Sequence, residues 1–134
     1  MTLSQRIEAF SSLGDFLGDF SAEDSQGKTI EHQELQKEIE NAVHYNGWFT
    51  KPHVLFAINQ WHQALNTFNL TKWLSNYNIE ISSPKTVGLI LAGNIPLVGF
   101  HDVLCVLLSG HNVLIKQSSS DSKLLPILLK KLVD

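Results

Sequence analysis

The chain has 134 residues, 43% hydrophobic and 17% charged, with a net charge of −3: the length of one domain, with enough apolar material for a core. Its mild acidity and scattered Lys and Arg exclude the basic face of a nucleic-acid binder. A single cysteine, Cys105, excludes an internal disulfide and fits a reducing, cytoplasmic compartment.

The N-terminus, MTLSQRIEAF, lacks the apolar run of a secretory signal. It opens a helical stripe instead: Leu3, Ile7, Phe10, Leu13, Leu17 and Phe20 recur every three or four residues. Ser21 to Lys28 is a polar break containing Gly27. Thr29 can cap a second helix carrying Leu35, Ile39, Ala42 and Val43, which Asn46-Gly47 ends. Thr50 can cap a third, with Pro52 in its first turn, where a missing N–H costs nothing. Its stripe is Val54, Ala57, Ile58, Trp61, Ala64, Leu65 and Phe68. A short fourth helix would carry Leu70, Trp73, Leu74 and Tyr77.

After Pro84 the period changes. Thr86 to Leu91 is a short apolar run that suits a buried parallel strand. Ala92-Gly93-Asn94 is a turn, and Pro96 can start a helix to about Ser109, ended by Gly110. Its run from Val103 to Leu108, the longest apolar stretch, is too short for a membrane span. Asn112 to Lys116 is a second strand, Ser118 to Asp121 a polar turn with several potential caps, and Ser122 to Leu132 a last helix. The alternation predicts a parallel sheet with helices covering its faces. The fold class expected is α/β: a helical region over 1–84, then a βαβα unit over 85–134. Two strands leave open edges, so the chain is expected to be a piece of a longer protein. The alternative is a small complete module that closes its sheet with a partner chain.

The chemistry lies in Val87 to Ser120. In open α/β sheets, ligands bind at the carboxyl ends of the strands. Asn94 and Lys116 both fall at such ends. An amide donor and a cation on one rim suit an anionic or oxyanion-bearing ligand.

This stretch is similar to the first βαβ unit of aldehyde dehydrogenases. That superfamily shows a strand, then Pro-Trp-Asn-aromatic-Pro, a helix ending in Gly-Asn, and a strand ending in Lys-Pro-Ser. The corresponding words here are Ala92-Gly93-Asn94-Ile95-Pro96, Gly110-His111 and Lys116-Gln117-Ser118. The variant from Ala92 to Asp102, AGNIPLVGFHD, resembles the acyl-CoA reductase branch, which includes the fatty-acid reductase of bacterial luminescence. MTLSQRIEAF and Asn46-Gly47-Trp48-Phe49-Thr50 also look like that branch.

The resemblance implies a Rossmann-like unit of the aldehyde dehydrogenase fold, incomplete here. It implies a cytoplasmic oxidoreductase of fatty-acid metabolism that reduces an acyl-CoA or other acyl thioester to an aldehyde with NADPH or NADH. It also implies a homo-oligomer. Asn94 matches the asparagine whose amide holds the developing oxyanion. Lys116 matches the lysine that contacts the adenosine ribose, with Ser118 and Ser119 beside it and Ala92-Gly93 as part of the cofactor wall. Many NAD-preferring relatives carry an acidic residue where Ser119 stands, so a serine there points to NADPH. Ala92-Gly93 in place of Pro-Trp makes the wall smaller, and His111 departs from the usual Asn. The family's catalytic cysteine, forming an acyl-enzyme, lies outside this chain. The isolated 134 residues are therefore expected to be inactive.

Plainer readings stand beside these. Cys105 sits mid-helix among apolar residues, as inert buried cysteines do. His101 and Asp102 are adjacent on a helix and do not face each other. The histidines show no zinc spacing, so no metal site is expected. Trp48, Trp61 and Trp73 fall on or beside helical stripes, which marks them as core. Gly88, Gly93 and Gly99 do not form a GxGxxG motif. Two other functions compete: an acyl-phosphate reductase or aldehyde dehydrogenase on the same fold, and a non-catalytic helical module for oligomerisation.

Overall fold

The computed structural model describes residues 1–20, 29–79 and 83–133. The polar break expected at Ser21 to Lys28 lies outside them. Among the described residues four helices come first: α1 (Leu3–Gly18), α2 (Ile30–Tyr45), α3 (Lys51–Ala64) and α4 (Thr67–Leu74). Then follow β1 (Thr86–Ile90), α5 (Phe100–Leu108), β2 (Asn112–Lys116) and α6 (Leu124–Val133). No helix among the described residues is long and apolar enough to cross a membrane.

Local chemistry sets the helix starts. Thr2 and Gln5 form a reciprocal capping box on α1. Thr29 caps α2 by accepting the His32 N–H. Thr50 occupies the cap of α3 with Pro52 behind it, but its side chain makes no cap bond. The predicted stripe of α1 is the buried one, with Phe10, Leu13 and Leu17 at most 3% exposed. Each such side chain contributes about 1.5–3 kcal/mol relative to exposure. On α2, Leu35, Ile39 and Ala42 are buried, while Val43 turns outward.

The third stripe runs too far in the sequence reading. Helix α3 stops at Ala64, and Asn66 caps a new helix by accepting the Asn69 N–H. Phe68 therefore belongs to α4 and is exposed, as is Tyr77 beyond its end. A capping side chain overrides continued apolar spacing because it satisfies backbone donors that a new helix start would otherwise leave open.

The strands pair in parallel, from Thr86 opposite Asn112 to Ile90 opposite Lys116. Gly110, two residues past the end of α5, has a φ of 83° in the left-handed region, the usual stop after a helix. The sheet is not buried on both faces, as the apolar run of β1 predicted. Val87, Leu89, Val113 and Ile115 are half-buried, whereas Gly88, Ile90, Leu114 and Lys116 are exposed. Among the described residues the helices cover one face only, and the alternating exposure of each strand follows from that.

The helical and strand-bearing parts share a core. Phe100, at the start of α5, is fully buried. It packs on Phe10 of α1 at 6.2 Å between ring centroids and edge-on to Trp61 of α3 at 4.8 Å. Helix α6 packs on α1 and α2. The helices thus fix the orientation of the βα unit, and with it the rim where both strands end.

Candidate functional site

The strand ends are locked together before the site begins. One residue past β1, the Leu91 N–H donates to the Lys116 carbonyl at 3.0 Å. Beyond Leu91 the chain turns through Ala92, Gly93 and Asn94. Beyond Lys116 it turns through Ser118, Ser119 and Ser120. The two turns press against each other. A β-carbon added to Gly93 would lie 2.4 Å from Ser118 Oγ and 3.1 Å from the Asp121 nitrogen. Only glycine allows this approach.

A second clasp holds the first turn. Asp121 is 8% exposed, and its Oδ2 accepts the Leu97 backbone N–H at 2.8 Å. Leu97 has φ 60°, the left-handed conformation that costs a non-glycine residue of order 1–3 kcal/mol. Its side chain is fully buried, and this burial together with the carboxylate bond holds the strained residue in place. Leu97 also explains why α5 starts at Phe100 and not at Pro96 as expected: a left-handed residue cannot continue a helix. Asp121 Oδ1 is buried without a hydrogen-bond partner among the described residues. Burial pushes the Asp121 carboxyl up to about 6, against the smaller downward pull of the Leu97 N–H.

The outer wall comes from the loop after α2. Asn46 Nδ2 donates to the Ser120 carbonyl at 3.2 Å, bridging the helical region to the turn after β2. Its Oδ1 accepts the Trp48 N–H at 3.0 Å, and its carbonyl accepts the Phe49 N–H at 2.8 Å. Between the three segments lies a cleft of about 860 Å³ lined by Tyr45, Asn46, Gly47, Trp48, Ala92, Gly93, Asn94, Ser118 and Ser120.

Four of the six residues singled out in the sequence thus line this one cleft: Ala92, Gly93, Asn94 and Ser118. Lys116 ends β2 at the same rim, and Ser119 follows in the adjoining turn. Both are exposed and stand outside the lining. Asn94 is exposed, with its amide available to a ligand. An amide donor, two hydroxyls and a nearby ammonium group can hold an oxyanion and a polar, phosphate-bearing ligand.

Other expectations resolve differently. Trp61 and Trp73 pack against the core, but Trp48 is 79% exposed, which corrects its assignment to the core. Trp48 follows an Asx turn, so its outward placement reflects the turn and not a helical stripe. Cys105 is half-buried. Burial first, and the Asp102 carboxylate second, push its thiol up, which disfavours the nucleophilic thiolate. His101 lies 3.9 Å from Cys105 Sγ and, contrary to the expectation that adjacent helix residues stay apart, 3.8 Å from the Asp102 carboxylate; all three stand outside the cleft.

Sequence reasoning gave Asp121 only a capping role, and it missed Asn46 and Trp48 as parts of the site. Asp121 carried no other signal than its place in a polar turn. Asn46-Gly47 was legible as a helix end, but its reach to Ser120 is a tertiary fact.

A family model described as acyl-CoA reductase (LuxC) matches residues 26–134 of the chain. Neither curated proteins nor solved structures gave a match.

Proposed function

The chain belongs to the acyl-CoA reductase (LuxC) family, and we propose that the cleft at the carboxyl ends of β1 and β2 is part of its reaction centre. The reaction is reduction of an acyl-CoA or related acyl thioester to an aldehyde, with NADPH as the preferred reductant. One observation carries this reading: Asn94 and Ser118, from turns after two different strands, line the same cleft.

The donor set fits a nicotinamide cofactor, with Lys116 for the adenosine ribose and the hydroxyls of Ser118 and Ser119 beside it. When bound, that cofactor supplies the hydride that turns an acyl group into an aldehyde. Asn94 donates its side-chain N–H to the carbonyl oxygen as negative charge develops there. A preorganised donor of this kind lowers the barrier by about 3 kcal/mol. The Asp121 bond to Leu97 holds the turn that carries Asn94, so the amide needs little reorganisation. Ser119 presents no carboxylate to repel a 2′-phosphate, which favours NADPH over NADH. The acyl-accepting cysteine lies outside these residues, since the raised Cys105 thiol in α5 stands outside the cleft. The unit is then the beginning of a Rossmann-like domain of the aldehyde dehydrogenase type.

A substrate panel with the complete reductase tests this reading. Thioester-dependent NADPH oxidation with an aldehyde product is the expected result. Reduction of acyl phosphates alone, or oxidation of aldehydes without any thioester reduction, would overturn it.

A further inference from the structure

We propose that Trp48, with Tyr45 beside it, forms the wall of the cleft that receives an adenine ring. The inference rests on the reductase reading of the same cleft and assigns one of its walls to a chemical group.

Trp48 combines two properties. Its side chain is 79% exposed, yet its backbone is tied on both sides. The Trp48 N–H donates to Asn46 Oδ1 at 3.0 Å, and its carbonyl accepts His53 Nδ1–H at 3.1 Å. The neighbour Phe49 is 3% exposed and anchors the loop in the core. Asn46 in turn fixes the loop to the Ser120 carbonyl across the cleft. Among the described residues nothing covers this large indole, which stands over a polar cleft. It is prepared for a planar ligand, because little loop entropy remains to be lost on binding.

The surroundings select the ligand. Trp48 and Tyr45 supply aromatic faces, and Asn94, Ser118 and Ser120 supply polar groups along the same cleft. Lys123 places its ammonium group 5.5 Å from the Tyr45 ring centroid, and Lys116 ends the neighbouring strand. The aromatic faces and hydroxyls of the lining match the base and ribose of an adenine nucleotide, and the two lysines, which flank the lining without belonging to it, suit its phosphates. Base stacking on an aromatic side chain tolerates differences in the rest of the ligand. Both the reductant and a coenzyme A thioester carry adenine, so the two sources share the chemistry recognised here.

Calorimetric titration of the complete reductase and its Trp48→Ala and Trp48→Phe variants with 5′-AMP, NADPH, coenzyme A and reduced nicotinamide mononucleotide tests the proposal. Trp48→Ala should weaken 5′-AMP roughly tenfold or more, as loss of a stacking ring does. Trp48→Phe should lose less, and reduced nicotinamide mononucleotide, which lacks adenine, should be unaffected. A matching loss for NADPH assigns the wall to the cofactor, and one for coenzyme A assigns it to the substrate. Unchanged affinities of Trp48→Ala for 5′-AMP, NADPH and coenzyme A would overturn the proposal while leaving the reductase reading intact. A weakening seen only with the mononucleotide would also overturn it. Failure of the unaltered protein to bind either NADPH or coenzyme A would bring down both.

Discussion

Asp121 Oδ2 accepts the backbone N–H of Leu97 at 2.8 Å, joining the turn after β2 to the turn after β1 at a residue in the left-handed conformation. The bond is buried and spans 24 positions of sequence. It makes the geometry of the Asn94 turn depend on a carboxyl group that burial pushes up to about 6.

That shift has a defined sign. The carboxyl binds a proton more tightly in the folded chain than in the unfolded one, where its ordinary value is 3.8. The folded state is therefore favoured by Asp121 at low pH, and that advantage is lost as pH rises from about 4 to about 6. The full difference amounts to about 3 kcal/mol. Asp121→Asn retains an acceptor for the Leu97 N–H and abolishes the titration. Urea denaturation across this window should show the unaltered chain losing stability relative to Asp121→Asn as pH rises. Parallel curves for the two would contradict the assignment.

Gly93→Ala should destabilise the chain by about 1–3 kcal/mol, the usual cost of overpacking. The added methyl group would meet Ser118 Oγ and Cβ, forcing the two turns apart. Ser118→Gly in the same chain removes both obstacles and should restore much of the loss. Thermal melts of the single and double variants check this. A double variant no more stable than Gly93→Ala would place the strain elsewhere.

Ser119→Glu should move cofactor preference from NADPH towards NADH. A carboxylate beside the ribose repels a 2′-phosphate and accepts hydrogen bonds from a free 2′-hydroxyl. The ratio of kcat/KM for the two cofactors reads the effect directly. An unchanged ratio would remove Ser119 from the cofactor site.

Much of this architecture was legible in the residues. The cap at Thr29, the stripe of α1 and the strand Asn112–Lys116 follow from spacing and local hydrogen-bonding chemistry. The common rim of Asn94 and Lys116 follows from the rule that parallel strands present their carboxyl ends together. What escaped depended on contacts distant in sequence. The late start of α5 reflects the left-handed Leu97, and nothing in the string Pro96-Leu97-Val98 announces a strained leucine. The exposure of Trp48 goes with the Asx turn at Asn46, whose side chain also reaches Ser120, 74 positions away. The open face of the sheet was hidden because Ile90 and Leu114 are as apolar as any buried strand residue.

The most direct measurement is the steady-state turnover of Asn94→Ala in the reductase, with an acyl-CoA and NADPH. Asn94 is exposed, so the substitution leaves the core intact. The oxyanion role predicts a fall in kcat of about 100- to 1000-fold with KM for the thioester little changed. A kcat equal to that of the unaltered enzyme would contradict it and remove the cleft from the chemistry.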